Sequence, residues 1–384
     1  MDSLSLSIEQ LRDVRDTLQA RVLDGLAENG REIKALPTFL GPPEPEITGR
    51  AVVVDIGGSN VRAALVDLQG DGKFEVLGGP IHDEAPGREG PLDAEGFFDA
   101  QARLVARLPG VSGLPLGYCF SYPARNSPDG DATLIHWTKG MHVTGVEGTR
   151  VGKALVDALA RHDVAVPTVR VLNDTVASLL GGTAGFAHEG YDRFIGLIVG
   201  TGTNMAGFFR QAQIPKLDVE GPHDLMAVNL ESGNYRPPHL CAIDDALDAE
   251  SDNPGLQRLE KAVSGSYLPF VFQKVCAVPG FDPHKGSAQL VQMRDSRPDS
   301  PEGRAAAAVL RRSAQLTAAG LAGVGTLYHG AEKIGILAEG TLFWGDQKYA
   351  DHVREILREL LDVPADLLRL QNVNLIGAGA AALT

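Results

Sequence analysis

Only 3 cysteines occur among 384 residues, Cys119, Cys241 and Cys276, scattered and without metal-type spacing. Their scarcity excludes a disulfide framework and a cysteine-built zinc site, and it points to a reducing, cytoplasmic setting. Basic residues are also in short supply. Lys and Arg number 35 against 49 Asp and Glu, which leaves a formal net charge of −14, and no basic run stands out. Neither a nucleic-acid face nor a surface for anionic membranes is expected, although a local basic pocket is compatible with this balance. No apolar run reaches bilayer length, and the opening MDSLSLSIEQLRD is polar where a signal peptide would be apolar. What is present is an ordinary globular balance, 43% hydrophobic and 22% charged, in a chain too long for one ordinary core. Two domains are therefore expected.

The chain opens with an amphipathic helix. Ser7 and Gln10 have capping-box spacing, and Leu11, Val14, Leu18, Val22 and Leu26 recur on one helical face. A proline-rich connector, LPTFLGPPEPE (36–46), leads into GRAVVVDIGGSNVRAALVDLQGDGKFEVLGG, which reads as three antiparallel strands joined by glycine turns. Helical patterns follow at about 94–108, 303–328 and 348–361, and KIGILAEGTLF reads as a strand. VVVDIGGSNVRAALV and IGLIVGTGTNMAGFF share one pattern, an apolar strand, a Gly-rich turn ending in Asn, then a second strand. This internal similarity suggests two related halves whose glycine turns face one cleft.

Each motif has two readings on local grounds. Gly57-Gly58 after the β-branched run Val52–Val54 makes a hairpin turn, or a concave row of amide donors that holds an anion. The glycines at 200, 202 and 207 do not match G-x-G-x-x-G, and a Walker-type lysine loop is absent. Asn173-Asp174, between a strand and a helix, is an N-cap or carries a general base. LIHWTKG (134–140) is a surface turn or a polar ligand loop, and Glu231 and Glu260 are solvated face residues or site acceptors. His136 and His142 read as structural or exposed, and no metal cage of protein ligands is evident.

Taken together, KALPTFL, VVDIGGSNVR, CFSYPA, LIHWTKG, VLNDT, IGLIVGTGTN, NLESG and NPGLQRLEKAVSGSYL resemble the hexokinase family in order and spacing, from about residue 34 to about 268. WTKG, LNDT and GTGTN in combination are far more specific than a glycine loop alone. The resemblance implies an α/β fold of two ribonuclease-H-like, actin-like domains around a central cleft, with a small domain over 51–175 and a large one over 1–50 and 176–384. It implies a kinase that moves the γ-phosphoryl group of ATP to the 6-hydroxyl of a hexose, glucose first among them. A sugar-sensing protein without turnover is the alternative on the same fold; the presence of both Asp55 and Asp174 speaks against it. By resemblance Asp174 is the general base, assisted by Lys139 and Arg62. Ser121, Thr138, Lys139, Asn173, Asp174, Asn204, Glu231 and Glu260 contact the sugar.

The nucleotide would be held by Asp55, Gly57, Gly58, Ser59, Asn60, Gly200, Thr201, Gly202, Thr203, Gly340, Thr341 and Gly377, with Asp55 serving Mg²⁺ through water. Phosphoryl transfer rests on positioning and charge neutralisation, which such a set supplies. The sequence departs from the family pattern at Ser59 (commonly Thr), Tyr122 (commonly Phe) and Glu339-Gly340-Thr341 (commonly Asp-Gly-Ser). NLIGAGAAALT also lacks the acidic residue expected before its glycines, and a short or missing closing helix is expected there.

Overall fold

The computed structural model describes residues 4–88, 90–138, 140–219 and 221–384. Helix α1 spans Ile8–Ala27 and begins at Ser7, whose side chain accepts from the Gln10 amide while Gln10 reaches back to the Ser7 amide. Both halves of the expected capping box are thus formed, and Leu11, Val14, Leu18, Val22 and Leu26 are buried. The strands are β1 (Leu36–Pro37), β2 (Thr48–Ile56), β3 (Asn60–Gly70), β4 (Lys73–Glu84), β5 (Leu92–Asp93), β6 (Leu116–Phe120), β7 (Ala124–Asn126), β8 (Ala132–Leu134), β9 (Val143–Thr144), β10 (Val169–Leu172), β11 (Arg193–Val199), β12 (Thr203–Arg210), β13 (Leu225–Asn229), β14 (Ile334–Glu339) and β15 (Ala365–Leu368). The helices after α1 are α2 (Ala94–Ala106), α3 (Val151–Ala160), α4 (Asp174–Gly185), α5 (Ala242–Ala249), α6 (Arg258–Val263), α7 (Leu268–Val275), α8 (Ala288–Ser296), α9 (Pro301–Gly325), α10 (Thr341–Gly345), α11 (Gln347–Leu360) and α12 (Val373–Leu383).

One sheet has the order β10-β6-β2-β3-β4, the other β1-β13-β12-β11-β14-β15. Apart from β1, the two orders are the same topology met twice, which accounts for the internal similarity in the sequence. In the first sheet β2, β3 and β4 form the expected antiparallel meander, and β6 and β10 continue it in parallel from β2. The proline-rich connector is not all loop, because Leu36–Pro37 pairs antiparallel with Val228 and Asn229. An edge strand tolerates the proline, since its missing N–H costs no central ladder bond.

The chain divides into two compact units, one of Met1–Ala35, Leu197–Ala206 and Leu230–Arg369, the other of Leu36–Gly196, Gly207–Asn229 and Leu370–Thr384. Residues 36–50, 176–196, 207–229 and 370–384 thus cluster with the 51–175 segment, a different division from the sequence expectation. Packing explains part of it: α12 lies on α4, β2, β6 and β10. In this second unit Val52, Val54 and Ile56 face a core shared with Phe97, Tyr118, Phe120 and Leu155. On the other face Val53 approaches Gly379 of α12, so β2 is buried on both sides, as its β-branched run requires. The first unit is organised around α9, against which α1, α8 and α11 pack.

One boundary differs from expectation. KIGILAEGTLF is strand only to Glu339; Gly340 turns the chain and Thr341 opens α10. The closing segment, expected as a short or missing helix, is the eleven-residue helix α12.

Candidate active site

In the second unit three parallel strands end at one sheet edge, with Ile56 paired to Phe120 and Cys119 to Leu172. Open α/β sheets hold their ligands beyond such carboxyl ends. Asp55 sits at this edge, 7% exposed, and pairs in register with Arg62 on β3. The Arg62 Nε donates to Asp55 Oδ2 at 3.1 Å, and its Nη2 donates to the same oxygen. Cys119 lies in register beside Asp55. Burial first, then the charges of Asp55 and of Asp174, push its thiol well above the ordinary range. Both aspartates therefore act on one buried thiol, which places them at the same end of the sheet. A maleimide at pH 8 should modify the partly exposed Cys241 and Cys276 and leave Cys119 untouched in the folded protein, read by peptide mass spectrometry. Rapid labelling of Cys119 would contradict this packing.

The first glycine loop, 57–60, has a consistent polarity. Tyr122 Oη donates to Gly57 O at 2.7 Å, Arg88 Nη1 to Gly58 O at 2.8 Å, Ala85 N to Ser59 O at 3.0 Å and Gly57 N to Asn60 O at 3.0 Å. All four carbonyls are satisfied from within, whereas the amides of Gly58 and Ser59 meet no acceptor among the described residues. A Cβ built on Gly57 would meet nothing within 4 Å, so that face is open. Acceptors saturated and donors left open make an anion cradle. Among the described residues no three His, Cys, Asp or Glu converge on a metal position. Nucleotide-borne Mg²⁺ keeps its waters and takes few protein carboxylates, and Asp55, next to the cradle, is the carboxylate that would serve it.

Asn173 takes the capping reading, and Asp174 follows it as the first residue of α4. Asn173 is the N-cap of α4, and the Thr175 amide donates to Asn173 Oδ1 at 2.9 Å and to Asp174 Oδ1 at 2.8 Å. Asp174 is in the first turn, where the helix dipole favours negative charge. Ser121 is 5% exposed just past β6, its amide bonded to Ile56 O at 3.0 Å. In the LIHWTKG loop Trp137 packs edge-on against Phe97 and Tyr122 and donates to Val143 O at 2.8 Å. The tryptophan anchors this loop beside Thr138, and Lys139 lies outside the described residues.

In the first unit the second loop repeats the polarity of the first. Gly265 N donates to Gly200 O at 2.7 Å, Ser266 Oγ to Thr201 O at 2.6 Å and Gly200 N to Gly202 O at 2.9 Å. The amides of Thr201 and Gly202 have no acceptor among the described residues. Thr201 is exposed, but Thr203 corrects the expectation of two phosphate-facing hydroxyls: its Oγ1 donates to Ile198 O at 2.9 Å and it is 5% exposed. Gly340 touches this loop, and a Cβ there would lie 2.1 Å from Val199 O on a backbone at φ +122, so glycine is required. Thr341, the next residue, also lies beside Gly200.

Three expected sugar contacts meet in the same unit. Asn204 Oδ1 accepts from the Met205 amide at 2.8 Å and the Ser232 amide at 3.1 Å, which ties β12 to the turn at Glu231. Glu231 has φ 54, a left-handed conformation unusual for a glutamate and common where function dictates the backbone. Glu260 is not a solvated face residue, since its Oε2 accepts from the Thr203 amide at 3.1 Å. It therefore links the expected sugar site to the second glycine loop.

Gly377 belongs elsewhere. A Cβ there would lie 1.8 Å from Ala177 O on α4, and residue 377 is buried inside the helix pair, not open to a nucleotide. Arg88 and the hydroxyl of Tyr122 are loop contacts that the sequence analysis missed; the loop lies 30 and 65 residues away from them, and no local signal marks such pairs.

These features define an α/β protein of the actin-like two-domain fold. The fold matches that of the Schistosoma mansoni hexokinase complexed with glucose, at a TM-score of 0.81 and 24% identity over 100% of this chain and 96% of that one. It also matches, more distantly, a ROK family glucokinase from Streptomyces griseus in complex with glucose and AMPPNP, at a TM-score of 0.53 and 21% identity over 87% of this chain and 99% of the other. Two hexokinase family models match residues 1–184, and 194–277 with 303–384, and the chain belongs to the hexokinase family. Hexokinase-1 of Schizosaccharomyces pombe is 32% identical over 290 residues, 71% of this chain and 58% of that protein. Hexokinase-2 of Oryza sativa subsp. japonica is 33% identical over 288 residues, 69% of this chain and 56% of its own length. The chain thus spans a little over half the length of these relatives.

Proposed function

We propose that this protein transfers the γ-phosphoryl group of ATP to the 6-hydroxyl of a hexose, with glucose the preferred acceptor. The observation that carries the reading is the pair of glycine loops whose carbonyls are bonded internally and whose amides are open. The hexokinase relatives, one of them solved with glucose, supply the acceptor class. In this reading Asp174 Oδ accepts the proton of the attacking hydroxyl as the O–P bond forms and the bond to ADP breaks. Ser121, Thr138, Asn173, Asn204, Glu231 and Glu260 orient the sugar, and the open amides of 58, 59, 201 and 202 hold phosphate oxygens. Mg²⁺ on the nucleotide, served by Asp55, would neutralise the phosphate charge.

ADP release with Mg-ATP, measured against glucose, fructose, mannose, galactose and N-acetylglucosamine, tests the reading. Sugar-dependent release, fastest with glucose, is the expected result. A folded protein that binds glucose and releases no ADP with any sugar would replace the kinase by a sugar sensor.

A further inference from the structure

We infer that Arg88 and Tyr122 are positioning residues of the first glycine loop: together they hold back its carbonyls so that the Gly58 and Ser59 amides stay turned toward the nucleotide phosphates. The inference rests on the kinase reading above. A glycine loop is free to rotate its peptide planes, and a single flipped plane would point a carbonyl oxygen at a phosphate and repel it. Two of the four carbonyls of this loop are fixed by backbone amides, those of Ala85 and Gly57. The other two, at Gly57 and Gly58, depend wholly on side chains, the Tyr122 hydroxyl at 2.7 Å and the Arg88 guanidinium at 2.8 Å.

Arg88 also donates through Nη1 to Ser59 Oγ, so one nitrogen spans two successive loop residues. Its Nε and Nη2 have no acceptor among the described residues, which leaves donors and a full positive charge beside the cradle. The Tyr122 ring is locked by Phe120 and Trp137 and is itself 1% exposed, so its hydroxyl has one direction to point. Burial pushes that phenol up and the Arg88 charge opposes the push, which places the two braces near each other and keeps the hydroxyl a donor.

Titration calorimetry on the whole chain measures Mg-ATP and glucose separately for wild type, Arg88→Gln and Tyr122→Phe. Mg-ATP should bind about tenfold more weakly in Arg88→Gln and about fourfold more weakly in Tyr122→Phe, the range expected for losing a charged and a neutral hydrogen bond. Glucose affinity and melting temperature should stay at wild-type values. Mg-ATP affinity within about twofold of wild type in either variant, or a parallel loss of glucose binding, overturns the inference. Arg88 is exposed and Tyr122→Phe removes one atom, so both variants fold. Wild type that binds Mg-ATP yet phosphorylates no hexose removes the kinase reading alone, because the affinities still decide whether the two side chains set the loop. Wild type that binds no nucleotide removes both.

Discussion

Asp174→Ala is expected to lower turnover with glucose by about a thousandfold, within the range that a positioned general base contributes, while glucose binding is retained. The geometry explains why the variant should remain folded. The Thr175 amide is shared between Asn173 Oδ1 and Asp174 Oδ1, so removing the second acceptor leaves the helix start capped by the first. The cap is worth about 1 kcal/mol, and it stays in place. Single-turnover rates and calorimetry with glucose separate the two roles. A kcat loss at constant glucose affinity identifies the base; loss of glucose binding along with a lower melting temperature would make Asp174 part of the scaffold.

Gly377→Ala is the largest expected stability effect. Its new Cβ would sit 1.8 Å from Ala177 O and 2.7 Å from Gly181 N, both backbone atoms of a helix that cannot step aside. Gly181 answers from the other side, where a Cβ would lie 2.3 Å from Val373 O. A loss of about 3 kcal/mol in urea unfolding is expected, the upper part of the overpacking range. At temperatures where the variant is folded, its Mg-ATP affinity should equal that of wild type. A stable variant with weakened nucleotide binding would return Gly377 to the phosphate site.

The contrast between these two residues shows what could be read in the sequence. Asn173-Asp174 was legible because a cap leaves a local mark, and the same strand-to-helix junction also presents a carboxylate at the sheet edge. The capping box of α1 and the β2-β3-β4 meander were legible for the same reason, since each is written within a few turns of chain. Gly377 was not, because a glycine opened for a ligand and a glycine opened for a neighbouring helix look alike until the neighbour is known. Trp137 read as part of a ligand loop and proved to anchor it. The Thr203 hydroxyl, expected at the phosphates, turns inward to Ile198. Arg88 left no sign at all, because only the folding of the hairpin brings it to the loop.

Helix α12 has a consequence for the order in which this molecule can be built. Its glycine- and alanine-rich surface fills a groove formed by α4, β2, β6 and β10, elements made of residues 48–185. On a ribosome those residues emerge long before 373–383 do, and until then the groove is lined with apolar side chains facing water. The sheet edge that carries Asp55, with Ser121 and Asp174 just beyond its strands, is therefore completed last rather than first, and the nascent chain must wait in a partly formed state while residues 197–206 and 230–369 of the other unit are translated.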